Sequence, residues 1–229
     1  MKSKESKHYI FNYHENSLAE KDIEQIIERQ EYCYDFICQT LKVPQDFIIH
    51  YFLCNTPEEV GMFYGDNDSC NGFNRMPDKI YAVYTNDLQC LGFHEDAHLI
   101  SYHYITRPDC NFIREGLAMF FDRTWHSISN FVWTKTYLKK RAIPKFETLI
   151  ENEVFFQYDC NFTYPVSGAF TEYLIIKFGI DRYKSLYLGF DSLRLGIFKK
   201  CFGYSLNELE EDFYKYISLL EYEELDRSC

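Results

Sequence analysis

No stretch of this chain approaches the ~20 consecutive apolar residues that a membrane-crossing helix needs. Its charged opening, Met1-Lys2-Ser3-Lys4-Glu5-Ser6-Lys7, leads into no apolar run of the kind a secretory signal carries. Both absences point to a cytoplasmic protein. Cys-x-x-Cys pairs are missing too: the nine cysteines stand singly at 33, 38, 54, 70, 90, 110, 160, 201 and 229, an odd number without the spacing of a disulfide framework. They are expected to be reduced, half of them packing as small apolar residues. Positive charge is scarce. The 24 Lys and Arg against 35 Asp and Glu leave a net charge of −11, and no basic run is long, which argues against nucleic acid or an anionic membrane surface as partner. Repeats and low-complexity segments are absent, and 229 residues suffice for one core, or one core split by a cleft.

What is present is His94-Glu95-Asp96-Ala97-His98. On a helix, residues i and i+4 share a face, so both imidazoles can reach one cation while Glu95 points to the flank where a zinc-activated water would sit. The context supports a helix. Lys79 to Thr85 reads as a β-branched and aromatic strand, followed by Asn86 as an N-cap with Gln89 reaching back, so the spacing predicts a helix from there to about 104.

A catalytic zinc site takes three protein ligands, which calls for one more. Glu115 is the leading candidate, in a second helix expected to open at Pro108-Asp109, because Phe112, Met119 and Phe120 surround it with apolar side chains among which an unpaired carboxylate would be costly. Asp109 and Asp122 remain alternatives. Asp122 also returns to the face of Glu115 two turns later, where it either accepts from the second nitrogen of a ligand imidazole or is simply solvated. The metzincin pattern fails, since Ser101 and Tyr104 stand where it requires glycine and histidine. His103 is rotated off the ligand face and reads as a surface or supporting histidine.

Three segments together resemble the gluzincins, in particular the compact peptidase MA-like relatives of aminopeptidase N and leukotriene A4 hydrolase. They are His94 to His98, then Glu115-Gly116-Leu117-Ala118, then Tyr164-Pro165-Val166-Ser167-Gly168-Ala169-Phe170 leading to Gly179. The similarity covers roughly residues 79–189. It implies a zincin-like fold, one zinc ion per chain, Glu115 as third ligand and Tyr164 as the hydroxyl that stabilises the oxyanion. Tyr164 stands just before Pro165, a favoured first helical residue, which would hold its ring at a helix mouth. Two spacings depart from the large aminopeptidases: the gap to the glutamate is slightly shorter, and the gap from the tyrosine to its glycine is one residue longer. Gly61-Met62-Phe63-Tyr64-Gly65 does not match the Gly-x-Met-x-Asn element that holds a free amine there, so exopeptidase activity is not implied.

Along the chain, 9–13 reads as a strand, Ser17-x-x-Glu20 as a capping box opening a helix that Pro44 closes, 47–54 as a strand, Thr56-Pro57 as the start of a short helix and 65–77 as a polar loop. Helices are expected at about 110–127, 131–140, 165–178, 182–188 and 206–220, the last opened by Ser205-x-x-Glu208. The acidic end, 221–229, is expected to fray. The expected fold is α+β, a single zincin-like domain over 1–229: a small mixed sheet with helices in 1–88, and a mainly helical half, 89–229, carrying the metal site across a cleft. The expected activity is zinc-dependent cleavage of a peptide or protein substrate, with the strand at 81–84 pairing an extended peptide along its edge. A non-enzymatic zinc-stabilised binding module and a zinc hydrolase of non-peptide substrates remain as alternatives.

Overall fold

Alternation of Tyr9, Phe11 and Tyr13 with Ile10 and Asn12 gives the second strand one buried face. In the computed structural model, which describes residues 1–65, 68–140 and 142–221, this strand belongs to a mixed sheet. Its members are β1 (Lys2–Glu5), β2 (Tyr9–Tyr13), β3 (Ile49–Cys54), β4 (Gly72–Arg75) and β5 (Lys79–Val83), in the order β1-β2-β3-β5-β4. The pairs β2–β3 and β3–β5 are parallel; the two outer pairs are antiparallel. Register places Tyr9, Phe11, Ile49, Tyr51, Leu53, Ile80 and Ala82 on one face, all buried.

Four helices complete this first unit, Met1–Tyr104: α1 (Leu18–Lys21), α2 (Ile23–Leu41), α3 (Pro57–Tyr64) and α4 (His94–Tyr104). Ser17 caps α1 by accepting from Glu20 N, and Asp22, outside helical geometry, separates α1 from α2, so the expected single helix is two. Lys42 in the left-handed region ends α2 before Pro44. The polar loop expected at 65–77 contains β4, whose four residues include a glycine and an asparagine and so carry little strand signal.

Three further expectations are corrected. The residues 86–89 form a turn, because the Thr85 side chain accepts from Leu88 N and the backbones of Thr85 and Leu88 also pair. Gly92 at φ +131 then bars helical continuity, so α4 begins at His94. The strand at 81–84 has no free edge either, since β5 is paired with β3 on one side and β4 on the other; β4 is the edge. Because α4 packs on α2, β4 and β5, the metal-motif helix expected in the helical half belongs to the sheet unit.

The second unit, from Ile105, is helical: α5 (Asn111–Asp122), a short hairpin of β6 (Thr124–Trp125) and β7 (Ile128–Ser129), α6 (Asn130–Lys139), α7 (Phe146–Leu149), α8 (Asn152–Phe155), α9 (Cys160–Phe178), α10 (Ile180–Leu193), α11 (Gly196–Phe202) and α12 (Leu206–Leu219). The Ser205/Glu208 capping box opens α12 as the sequence suggests. The expectation of fraying at 221–229 falls, beyond Glu221, outside the described residues. At the centre α9 packs against α5, α6 and α10. The backbones of α5 and α9 come so close that a Cβ on Gly116 would stand 2.5 Å from Thr171 Oγ1 and 3.0 Å from Ser167 O. Among the described residues no helix is long and apolar enough to cross a membrane.

Candidate metal centre

The first five residues of α4 carry the motif, and this end of the helix is held from two sides. From β2, the Tyr9 hydroxyl donates to Asp96 Oδ2 at 2.9 Å; from α2, Gln30 Nε2 donates to the same oxygen at 2.6 Å and to Gly92 O at 3.1 Å. Arg29 adds a bond to Leu91 O at 3.0 Å. Asp96 is fully buried, and loss of water pushes its carboxyl well above the usual range, partly offset by the hydrogen bond from Tyr9 and, less strongly, that from Gln30. These ties fix both the start and the rotation of α4 about its axis, and so aim His94 and His98.

The two imidazoles lie with ring centroids 5.0 Å apart and nearly perpendicular. His98 is buried, and its Nδ1 lies 3.2 Å from the Tyr102 hydroxyl, whose ring stacks against it. Such a partner on one ring nitrogen orients the other. Glu95 is half-buried and accepts from Asn74 Nδ2 on β4 at 2.6 Å. Tyr102 and Asn74 were not identified from sequence. Tyr102 was within reach of it, being four residues beyond His98, the same spacing that links the histidines; Asn74 depends on strand pairing and had no local signal.

In the second unit Glu115 is buried on α5 among Phe112, Met119 and other buried apolar residues. At its neighbour Gly116 α9 comes too close for a side chain, a packing reason for glycine after the glutamate. The helix starts at Asn111 after Cys110, one residue later than Pro108-Asp109 suggested; Asp109 instead donates its backbone N–H to Asp191 and accepts from Asn152. Asp122 is the last residue of α5. Among the described residues, the group of His, Cys, Asp and Glu near enough to hold an ion is His94, His98 and Glu115, whose ligand atoms lie within 4.8 Å of one another.

Tyr164 is not at a helix mouth. Asp159 caps α9 by accepting from Asn161 N at 2.8 Å, which puts Pro165 inside the helix. The ring of proline cannot donate to Asn161 O, and the Tyr137 hydroxyl donates there instead at 3.2 Å. The Tyr164 ring packs beside Trp125 and Phe155, at 5.2 and 6.1 Å between centroids. His103 is exposed and stacks on Phe47. Four of the eight described cysteines are buried, as expected, and desolvation pushes the Cys54 and Cys110 thiols up to about 12, which keeps both protonated at neutral pH. Compared with known protein families the chain matches none, and a search of curated proteins finds no match either.

Proposed function

We propose that the chain is a zinc-dependent peptidase of gluzincin type and zincin-like fold, with His94, His98 and Glu115 as the metal ligands. The observation that carries this reading is the donor set: two imidazoles and a carboxylate with ligand atoms within 4.8 Å of one another. That is the number and kind of protein donors a catalytic zinc takes, with a fourth position left for water. Zinc bound by such a set acidifies water and polarises a carbonyl oxygen.

The chain's own groups do the rest. Glu95 stands in the first turn of α4, outside the ligand group, and serves as general base: it takes the proton of the attacking water and delivers it to the leaving amine. Tyr164 donates its hydroxyl to the carbonyl oxygen as the carbon becomes tetrahedral. Asp122 accepts from the second nitrogen of a ligand imidazole. The substrate is a peptide or protein segment, cut internally.

The test separates metal from chemistry. The purified chain is expected to hold about one zinc, with alanine at His94 or His98 emptying the site. Glu95→Gln is expected to keep zinc and lose cleavage of internally quenched peptides, because the amide preserves shape yet cannot accept the proton. Undiminished zinc in the histidine variants rejects the ligand set; wild-type turnover in Glu95→Gln rejects the base.

A further inference from the structure

Glu95 has a neighbour that no motif specifies. Asn74 lies on β4, the four-residue strand at the edge of the sheet, and its Nδ2 donates to Glu95 Oε2 at 2.6 Å. Strand alternation explains why the side chain is there. Phe73 and Tyr81 stack at 5.0 Å with the Arg75 guanidinium over both rings, so Phe73 and Arg75 occupy one face of β4. Asn74 is left on the opposite face, against α4. A carboxylate only accepts hydrogen bonds, so the amide must turn its NH2 towards Glu95 rather than its oxygen.

The geometry points to Asn74 as a positioning residue for the general base: its amide pins Oε2 of Glu95 and leaves Oε1 to receive the proton. The inference rests on the zinc-peptidase reading. A half-exposed glutamate otherwise samples several side-chain rotamers, whereas a charge-assisted hydrogen bond selects one. Proton transfer needs the base within about 2.6–3.2 Å of the proton's heavy atom, so a base held in place spends more of its time competent. Asn74 itself exchanges no proton.

The experiment uses the zinc-loaded chain and, as probe, the internally quenched peptide of a random-sequence set that wild type cleaves fastest. Asn74→Ala and the isosteric Asn74→Asp are expected to lower kcat about 10-fold to 10²-fold, the loss associated with a hydrogen bond to a charged group, with KM and zinc content nearly unchanged. In a Glu95→Gln background, whose strongly reduced residual turnover is read at high enzyme concentration and long incubation, the same Asn74 substitutions should cost less than about twofold, because a residue acting only through the base has nothing left to act on. Equal losses in both backgrounds would mean a purely structural role and overturn the inference, as would peptide cleavage by Asn74→Ala within about twofold of wild type. Independently of activity, the Asn74 side-chain amide proton should resonate downfield and move upfield in Glu95→Ala. No movement rejects the hydrogen bond itself. If the amide behaves as expected but wild type cleaves no peptide, the peptidase reading fails and the positioning role goes with it, whereas cleavage with an inert Asn74 rejects this inference alone.

Discussion

The Tyr9 hydroxyl donates to Asp96 across 2.9 Å, tying the helix that bears both histidines to a strand 87 residues earlier in the chain. Asp96 occupies one of the two positions that His-Glu-x-x-His leaves open, yet it is fully buried. Tyr9→Phe keeps the ring and removes the donor. Unfolding in urea is expected to show a loss of about 1–2 kcal/mol, the usual consequence of deleting one buried partner. Asp96→Ala strands both Tyr9 and Gln30 and should cost more, about 2–4 kcal/mol. A Tyr9→Phe chain as stable as wild type would show that the tie contributes nothing.

For Tyr164 the roles in packing and in chemistry separate cleanly. Its ring lies beside Trp125 and Phe155, contacts that phenylalanine retains. Under the oxyanion role Tyr164→Phe should lower kcat by about 10²-fold to 10³-fold with stability unchanged. Near-normal turnover in Phe, with a stability loss only in Tyr164→Ala, would assign the residue to the core.

Gly116 is predicted to tolerate no side chain. An added methyl would meet Thr171 Oγ1 at 2.5 Å and the Ser167 carbonyl at 3.0 Å, and the second of these is backbone. Gly116→Ala should therefore lower stability by about 1–3 kcal/mol, the range for overfilling a packed contact. A double variant with Thr171→Ala should recover only part, because the carbonyl remains. Chemical denaturation of the three chains checks both statements.

Glu210 gives a pH signature of defined sign. Desolvation raises its carboxyl above the ordinary 4.5, against the opposing hydrogen bonds from Phe146 N and the Tyr214 hydroxyl. The folded chain thus binds this proton more tightly than the unfolded chain does. Its contribution to stability is fully present below about pH 4.5 and declines as pH rises through the folded value. Glu210→Gln does not titrate, so the difference in Tm, variant minus wild type, is expected to grow between about pH 4 and pH 7. A difference that stays flat or shrinks contradicts the shift.

Signals confined to a few neighbouring residues were legible. His94 and His98 at helical spacing, the Ser205/Glu208 box and the alternation in Tyr9–Tyr13 each depend on residues within one or two turns of each other. The misses share a different cause. Asn86 looks like a cap, but Thr85 captures Leu88 and Gly92 takes a conformation no helix allows. Pro165 looks like a helix start, but Asp159 starts the helix earlier and Tyr137, 24 residues from Asn161, compensates the bond that proline forfeits. Asn74 reaches Glu95 only because β4 pairs with β5 at one particular register. In each case the deciding partner is tertiary, or is a competing local bond stronger than the one the pattern suggests.

The brevity of α4 bears on how its two histidines are presented. Eleven residues fall below the roughly 12–15 that an isolated helix needs to persist in water. Its helicity is therefore conferred by β2 and α2 through Asp96, Gly92 and Leu91. Cut free, the same segment would carry its two imidazoles on a slack tether; folded, it holds them one turn apart on one helix. If the chain binds zinc as proposed, the denticity of His94 and His98 is a property of the folded sheet unit, and ion release should follow the loss of that sheet with a shared urea midpoint.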